Sequence, residues 1–180
     1  MKTIKLFDID GTLIDTKTKI YVDGKAYPQT DYKKFIDLGK EIDLCDFEDK
    51  DKVRQDFTEG DKLPLFKLIK KYGPLMKKAF ITARSMEGPI ERWFIRNGIL
   101  GHFYAVNDPE SRASCYKGME DWENWTTSKR KASIISYYCD KYDLVEFYDD
   151  EIENLEAAKK LNMENLVLWL AKGDCITIYG

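Results

Sequence analysis

The chain has 180 residues, with 29 lysines and arginines against 32 aspartates and glutamates, a net charge of −3, 43% hydrophobic residues and 34% charged ones. That describes one folded domain, excludes a long disordered chain, and gives no overall pull toward nucleic acid or an anionic membrane. Cys45, Cys115, Cys139 and Cys175 form no C-x-x-C pair and His102 is the single histidine, which argues against a cysteine–histidine zinc site and for reduced thiols in the cytoplasm.

In chain order, Met1 to Lys5 runs straight into an apolar strand beginning at about Thr3, without a signal-peptide core. No apolar run reaches the length of a membrane span, so no membrane partner is expected. The strand ends in Asp8-Ile9-Asp10-Gly11-Thr12. In an extended segment residues i and i+2 point the same way, which would set Asp8 and Asp10 side by side. Two such carboxylates repel unless a cation or a shared proton lies between them, and a hard divalent ion, Mg²⁺, suits oxygen ligands. The plain alternative is a strand that ends in an Asp-Gly surface turn.

Lys19 to Tyr27 reads as a β-hairpin turning at Asp23-Gly24 and closed by Pro28, placed to project over the carboxylates as a flap. The charge-dense stretch 30–62 spaces its apolar residues for short helices, a small helical lid. A helix follows from Pro64 to Tyr72, ended by Gly73-Pro74. Next come a strand Lys78 to Thr82, a turn at Ala83-Arg84, a helix from about Glu87 to Asn97 stopped by Gly98, and a strand His102 to Val106. The polar, tryptophan-bearing stretch from Asn107 to Ser128 reads as a surface excursion. Trp122 and Trp125 would either stack on a base or anchor that loop to the core. A helix from about Lys129 to Lys141, a strand Leu144 to Tyr148 ending in Asp149-Asp150, a helix from about Glu151 to Leu161, and strands at Asn165 to Leu170 and Cys175 to Tyr179 complete the chain.

Strands alternating with amphipathic helices predict an α/β fold, a doubly wound, mostly parallel, Rossmann-like sheet with helices on both faces. The C-terminal ends of its strands carry Asp8 and Asp10, Thr82, and Asp149 with Asp150, and that edge is where an open α/β sheet binds its ligand. A carboxylate cluster with a metal, a hydroxyl and a lysine suits phosphoryl transfer.

This ordered series resembles the four motifs of the haloacid dehalogenase superfamily of phosphohydrolases. Asp8 to Thr12 matches the first motif, Thr82 after Ala79-Phe80-Ile81 the second, a lysine at the start of the 129–141 helix the third, and Asp149-Asp150 the fourth. The resemblance implies Asp8 as the nucleophile that forms an aspartyl-phosphate and also binds Mg²⁺. It implies Asp10 as general acid and then base, its backbone carbonyl a further metal ligand, with a carboxyl pKa raised by burial and acidic neighbours. Thr82 would bond the phosphoryl oxygen, Thr12 would lie on the substrate, and Asp150 and Asp149 would complete the metal site.

Lys129, Arg130 and Lys131 are all available for the third motif. Lys131 shares the inward face of Ile134, Ile135 and Tyr138 and is favoured, whereas Lys129 is out of phase. Asn154 stands where many relatives have an acidic residue. Arg84 is either a phosphate contact or a surface arginine at a helix start. With no large cap between motifs, the resemblance implies a phosphatase acting on a nucleotide, a nucleic-acid end or another small phosphate ester, or a site closed by the second subunit of a homodimer. A catalytically silent binding protein and a phosphotransferase are the alternatives.

Overall fold

The computed structural model describes residues 1–109, 116, 119 and 121–180. Cys115 and much of the 107–128 excursion lie outside the described residues. Strand β1 (Thr3–Phe7) leads through a tight loop to the short β2 (Ile14–Asp15) and the hairpin β3 (Lys19–Val22) with β4 (Lys25–Pro28). Helices α1 (Tyr32–Asp37), α2 (Cys45–Glu48) and α3 (Lys50–Glu59) follow, then β5 (Asp61–Lys62) and α4 (Pro64–Tyr72). Strand β6 (Lys78–Thr82), helix α5 (Glu87–Arg96) and strand β7 (His102–Ala105) come next. The chain continues through α6 (Thr127–Cys139), β8 (Leu144–Asp149), α7 (Ile152–Lys159), β9 (Leu166–Lys172) and β10 (Cys175–Ile178).

Six strands form one sheet in the order β10-β9-β8-β1-β6-β7, parallel throughout except for the edge strand β10. The mixed α/β class and mostly parallel sheet are therefore as expected. Because side chains alternate along a strand, each central strand feeds two cores. Phe7, Phe80, Phe103 and Tyr148 pack under α3, α4 and α5 through Phe57, Phe66 and Phe94, whereas Ile4, Leu6, Ile81, Val145 and Phe147 pack under α6 and α7 through Ile134, Ile135 and Leu155. Continuous apolar runs such as Ala79-Phe80-Ile81, all fully buried, are what a sheet covered on both faces requires.

The hairpin forms where the sequence places it. Asp23 and Gly24 both take positive φ, 52° and 73°, the geometry of a two-residue hairpin turn. Ile20 and Val22 pack with Phe35, and Tyr27, Ile42 and Phe47 lie against them, a small third core between the hairpin and the segment α1–α2. Helix α3 instead belongs to the main core through Val53 and Phe57. Two elements were not expected: β2 and β5 pair as a two-residue antiparallel bridge that ties the loop after β1 to the end of α3. Among the described residues no helix is long and apolar enough to cross a membrane.

Chain order makes β1 the centre. From it the chain steps outward through β6 and β7, then returns to the other side of β1 for β8 and β9. The crevice of such a sheet lies at the carboxyl ends of the strands flanking that reversal, here β1 and β8. Asp8 follows one directly and Asp149 ends the other.

Candidate active site

The loop after β1 is held by its apolar members. Ile9, Leu13 and Ile14 are fully buried, and the amides of Leu13 and Ile14 both donate to the carbonyl of Ile9, at 2.8 and 3.0 Å. Gly11 turns the chain at φ +77°, and a Cβ there would lie 2.7 Å from Asp150 Cγ, so only glycine lets the loop pass that carboxylate. Thr12 donates to Asp150 Oδ1 at 3.2 Å and so ties the loop to the end of β8.

Asp8 and Asp10 do not share one cation side by side. Strand β1 stops at Phe7, and each carboxylate turns to a different partner. Asp8, with its amide bonded to the Tyr148 carbonyl at 2.9 Å, accepts from Lys131 Nζ at 2.6 Å. The same ammonium reaches Asp149 Oδ2 at 2.8 Å. Asp10 faces the other way: Arg84 Nε lies 3.0 Å from its Oδ2 and Nη2 lies 2.7 Å from its Oδ1, a two-pronged clasp. Thr16 Oγ1 adds a bond at 2.8 Å and Thr82 Oγ1 one at 3.4 Å.

Lys131 is thus the lysine of the 127–139 helix that reaches the carboxylates. Lys129 is exposed, its ammonium 4.4 Å from the centre of the Trp125 ring, while Arg130 bonds Asn107 and the Glu123 carbonyl. Helical phase decides this, since Lys131, Ile134, Ile135 and Tyr138 are all buried on one side. Thr126 caps the helix by accepting from the Lys129 amide, which starts it two residues earlier than expected.

Asp149 is wholly buried and anchored on both oxygens, accepting from Lys131, from the Glu151 amide at 2.9 Å and from Asn154 Nδ2 at 3.0 and 3.1 Å. Asn154 therefore turns its amide nitrogen to Asp149, the only orientation in which it does not oppose a carboxylate, and holds that side chain in place. Arg84 is not the surface arginine that was one of its two readings. It is 1% exposed, with Cζ 5.1 Å from the Phe47 ring centre and 4.9 Å from that of Phe57. Trp122 and Trp125 lie against the second core and the Tyr116 ring, the anchoring role. His102 is exposed at the start of β7, away from this cluster.

Burial dominates the electrostatics. It drives the Asp8 carboxyl well above the usual carboxylate range, with Lys131 pulling down and Asp149, Asp150 and Asp10 pushing up. It also raises Asp150, which Asp149 pushes further, to about 7. Lys131 is held charged: burial works against its ammonium, but Asp149 and Asp8 more than offset that. Asp10 departs from the raised pKa expected of it. Burial pushes it up, but the Arg84 guanidinium and its hydrogen bonds outweigh burial and hold the carboxyl below its ordinary value.

Oxygens of Asp8, Asp149 and Asp150 lie within 4.8 Å of one another. All the donors are hard carboxylate oxygens. With their protons displaced, the three carboxylates and the Lys131 ammonium would carry two net negative charges, which a divalent cation would balance, so the residues fit one. Asp10 is outside this trio because its carboxylate belongs to Arg84.

Sequence reasoning overlooked Thr16, Thr18 and Asp56. Thr18 accepts from Arg84 Nη2 at 2.7 Å and donates to Asp56 Oδ2 at 2.5 Å. The signal was present: Asp56 sits between Val53 and Phe57 on the apolar face of α3, where an acid needs a partner. The chain matches no protein-family model, no curated protein and no solved structure.

Proposed function

We propose that this chain is a Mg²⁺-dependent phosphomonoester hydrolase that works through a phosphorylated Asp8, in the manner of the haloacid dehalogenase superfamily, on a doubly wound, Rossmann-like sheet. One observation carries the reading: at the sheet's reversal point a buried carboxylate is flanked by a charged lysine and by two further carboxylates that leave room for a divalent cation. Bound there, Mg²⁺ would neutralise the carboxylates and the equatorial phosphoryl oxygens.

An Asp8 oxygen attacks phosphorus, the ester P–O bond breaks, and the phosphoryl group passes to Asp8 as the alcohol departs. Lys131, between Asp8 and Asp149, holds the nucleophile in place and works against the burial that raises its carboxyl, whose ionisation would be complete with a cation bound in the trio. Thr82 and Thr12, buried and bonded to Asp10 and Asp150, would turn their hydroxyls to the phosphoryl oxygens when substrate binds. Because Asp10 rests as a carboxylate, the proton it hands to the departing oxygen arrives with the substrate, a monoester carrying one proton. In the second step water attacks phosphorus, its proton goes to Asp10, the bond between the Asp8 oxygen and phosphorus breaks to give inorganic phosphate, and Asp10 passes the proton to solvent as phosphate leaves. Among the described residues the unit appended to the sheet is the hairpin with α1 and α2, which supports a flap and a small cap. That arrangement suits a nucleotide, a nucleic-acid end or another small phosphate ester.

The test is phosphate release from nucleotides, sugar phosphates and 3′- or 5′-phosphorylated oligonucleotides, with and without Mg²⁺, beside Asp8→Asn. Metal-dependent release that vanishes in Asp8→Asn is expected. A folded wild type silent across the panel would overturn the proposal and favour a binding protein.

A further inference from the structure

Arg84 is a buried cation whose Nε and Nη2 donors are already committed. Nε and Nη2 hold Asp10, and Nη2 also donates to Thr18 at 2.7 Å and to Thr16 at 3.2 Å. Nη1 is buried, makes no hydrogen bond, and lies 3.9 Å from Asp56 Oδ2. The guanidinium lies against the rings of Phe47 and Phe57, one from α2 and one from α3. Aromatic faces attract such a cation, and a planar fork held this way loses little freedom when it binds a carboxylate.

A phosphate-binding arginine needs donors free toward the nucleophile. None of the bonds this guanidinium makes goes to Asp8 or to the carboxylate trio. They converge on Asp10 and on the two threonines that link it to α3.

We infer that Arg84 is a positioning residue that fixes the Asp10 carboxylate, and that Phe47, Phe57, Thr18 and Asp56 form the clamp that holds Arg84, so that α2 and α3 serve the proton-transfer group through that arginine. The inference rests on the phosphatase reading above. It assigns the 45–59 segment a task other than covering substrate: the helices are the wall behind the acid–base group. Asp56 works through this chain as well. It accepts from Thr18 and offers its charge to the side of the guanidinium that has no hydrogen bond.

The experiment separates positioning from phosphate binding by the leaving group. The value of kcat/KM covers steps through departure of the alcohol. An alkyl alkoxide needs a proton to leave, whereas p-nitrophenolate does not. Arg84→Lys keeps the charge but cannot clasp both oxygens from its place beside the Phe47 and Phe57 rings. With a simple alkyl phosphate its kcat/KM is expected to fall about tenfold or more, and with p-nitrophenyl phosphate less than about threefold, since a misplaced acid costs only the ester that needs it. Asp56→Asn and Phe47→Leu are expected to show the same split at smaller size. Inhibition by inorganic phosphate should change little in all three.

An equal fall for both esters with weakened phosphate inhibition makes Arg84 a phosphate ligand and overturns the inference. An equal fall in proportion to the folded fraction, read from thermal melts of the same samples, makes the cluster merely structural and overturns it too. Wild type and variants alike in both esters would do the same. If the wild type hydrolyses neither ester, the phosphatase reading fails and takes this inference with it.

Discussion

Lys131→Met gives the sharpest test of how the site is balanced, because methionine fills the same slot with an unbranched chain and removes only the charge. The ammonium lies 2.6 Å from Asp8 and 2.8 Å from Asp149, and none of the three side chains is more than 6% exposed. Taking one partner from a buried ion pair costs about 3–5 kcal/mol, because the charge left behind is poorly solvated. For a chain of this size each kcal/mol moves the melting temperature by about 2–4 °C, so a drop on the order of 10 °C is expected. Its pH dependence has a definite sign. Lys131 is held charged above its ordinary range, so the charge lost is constant across the neutral region. In the variant the strongest counterweight to the burial and the acidic neighbours that already push Asp8 up is gone. A carboxyl raised in the folded state binds protons that the unfolded chain has given up, so the fold gains stability as pH falls toward the carboxyl's unfolded value. The deficit should therefore be largest near about pH 8 and shrink toward about pH 5, read by thermal denaturation in the presence of a chelator. Equal deficits at both pH values, or a variant that melts with the wild type near about pH 8, would refute the reasoning.

Gly11→Ala should cost more than about 1 kcal/mol in urea denaturation and weaken divalent-cation binding in calorimetry, because φ +77° and the nearby Asp150 both reject a Cβ. An alanine variant equal to wild type in both would show that the loop bends freely. Because burial raises the Asp150 carboxyl to about 7 and Asp8 is raised as well, a cation must displace protons at lower pH, and Mg²⁺ affinity should drop by about tenfold or more per unit below that point. A flat titration, or one that Asp150→Asn does not flatten, would count against it. Phe94→Ala removes a ring that touches Phe57, Phe66, Phe80, Trp93 and Phe103, and should cost about 3–5 kcal/mol in thermal melts.

Most of the sheet could be read from the sequence because its strands are covered on both faces and therefore appear as short, unbroken apolar runs, as in Ala79-Phe80-Ile81. The choice of Lys131 over Lys129 was legible for the same kind of reason, since a helix has a fixed period and the apolar side was visible. The pairing of Asp10 was not. Periodicity placed Asp8 and Asp10 on one side of an extended segment, but the strand ends at Phe7, and what lies beyond it depends on counter-charges distant in sequence. Arg84 is 74 residues from Asp10, and Lys131 is 123 residues from Asp8. Neither distance leaves a local trace. The stretch 30–62 stayed vague because its helices are short and only α3 turns a full apolar face to the main core.

The division of Asp8 from Asp10 follows from the strand order. Strand β1 lies between β8 and β6, so a carboxylate just past its end can turn to either neighbour. Asp8 turns to the β8 side, where Asp149 lies and where α6 brings Lys131. Asp10 turns to the β6 side, where Thr82 ends the strand and Arg84 follows. Each side supplies its own cation, so two acids one residue apart reach opposite electrostatic outcomes, one carboxyl raised and one lowered. Environments that push a pair of acids apart are how a site gives two carboxylates two tasks. Asp8 is left short of positive charge, a need that a divalent ion in the trio would meet, while Asp10 has its cation built in. With a lysine at position 84, Asp10 keeps a positive neighbour but loses the two-pronged clasp that fixes its direction. The charge at Asp10 therefore depends on Arg84 being a cation, and its aim depends on that cation being an arginine.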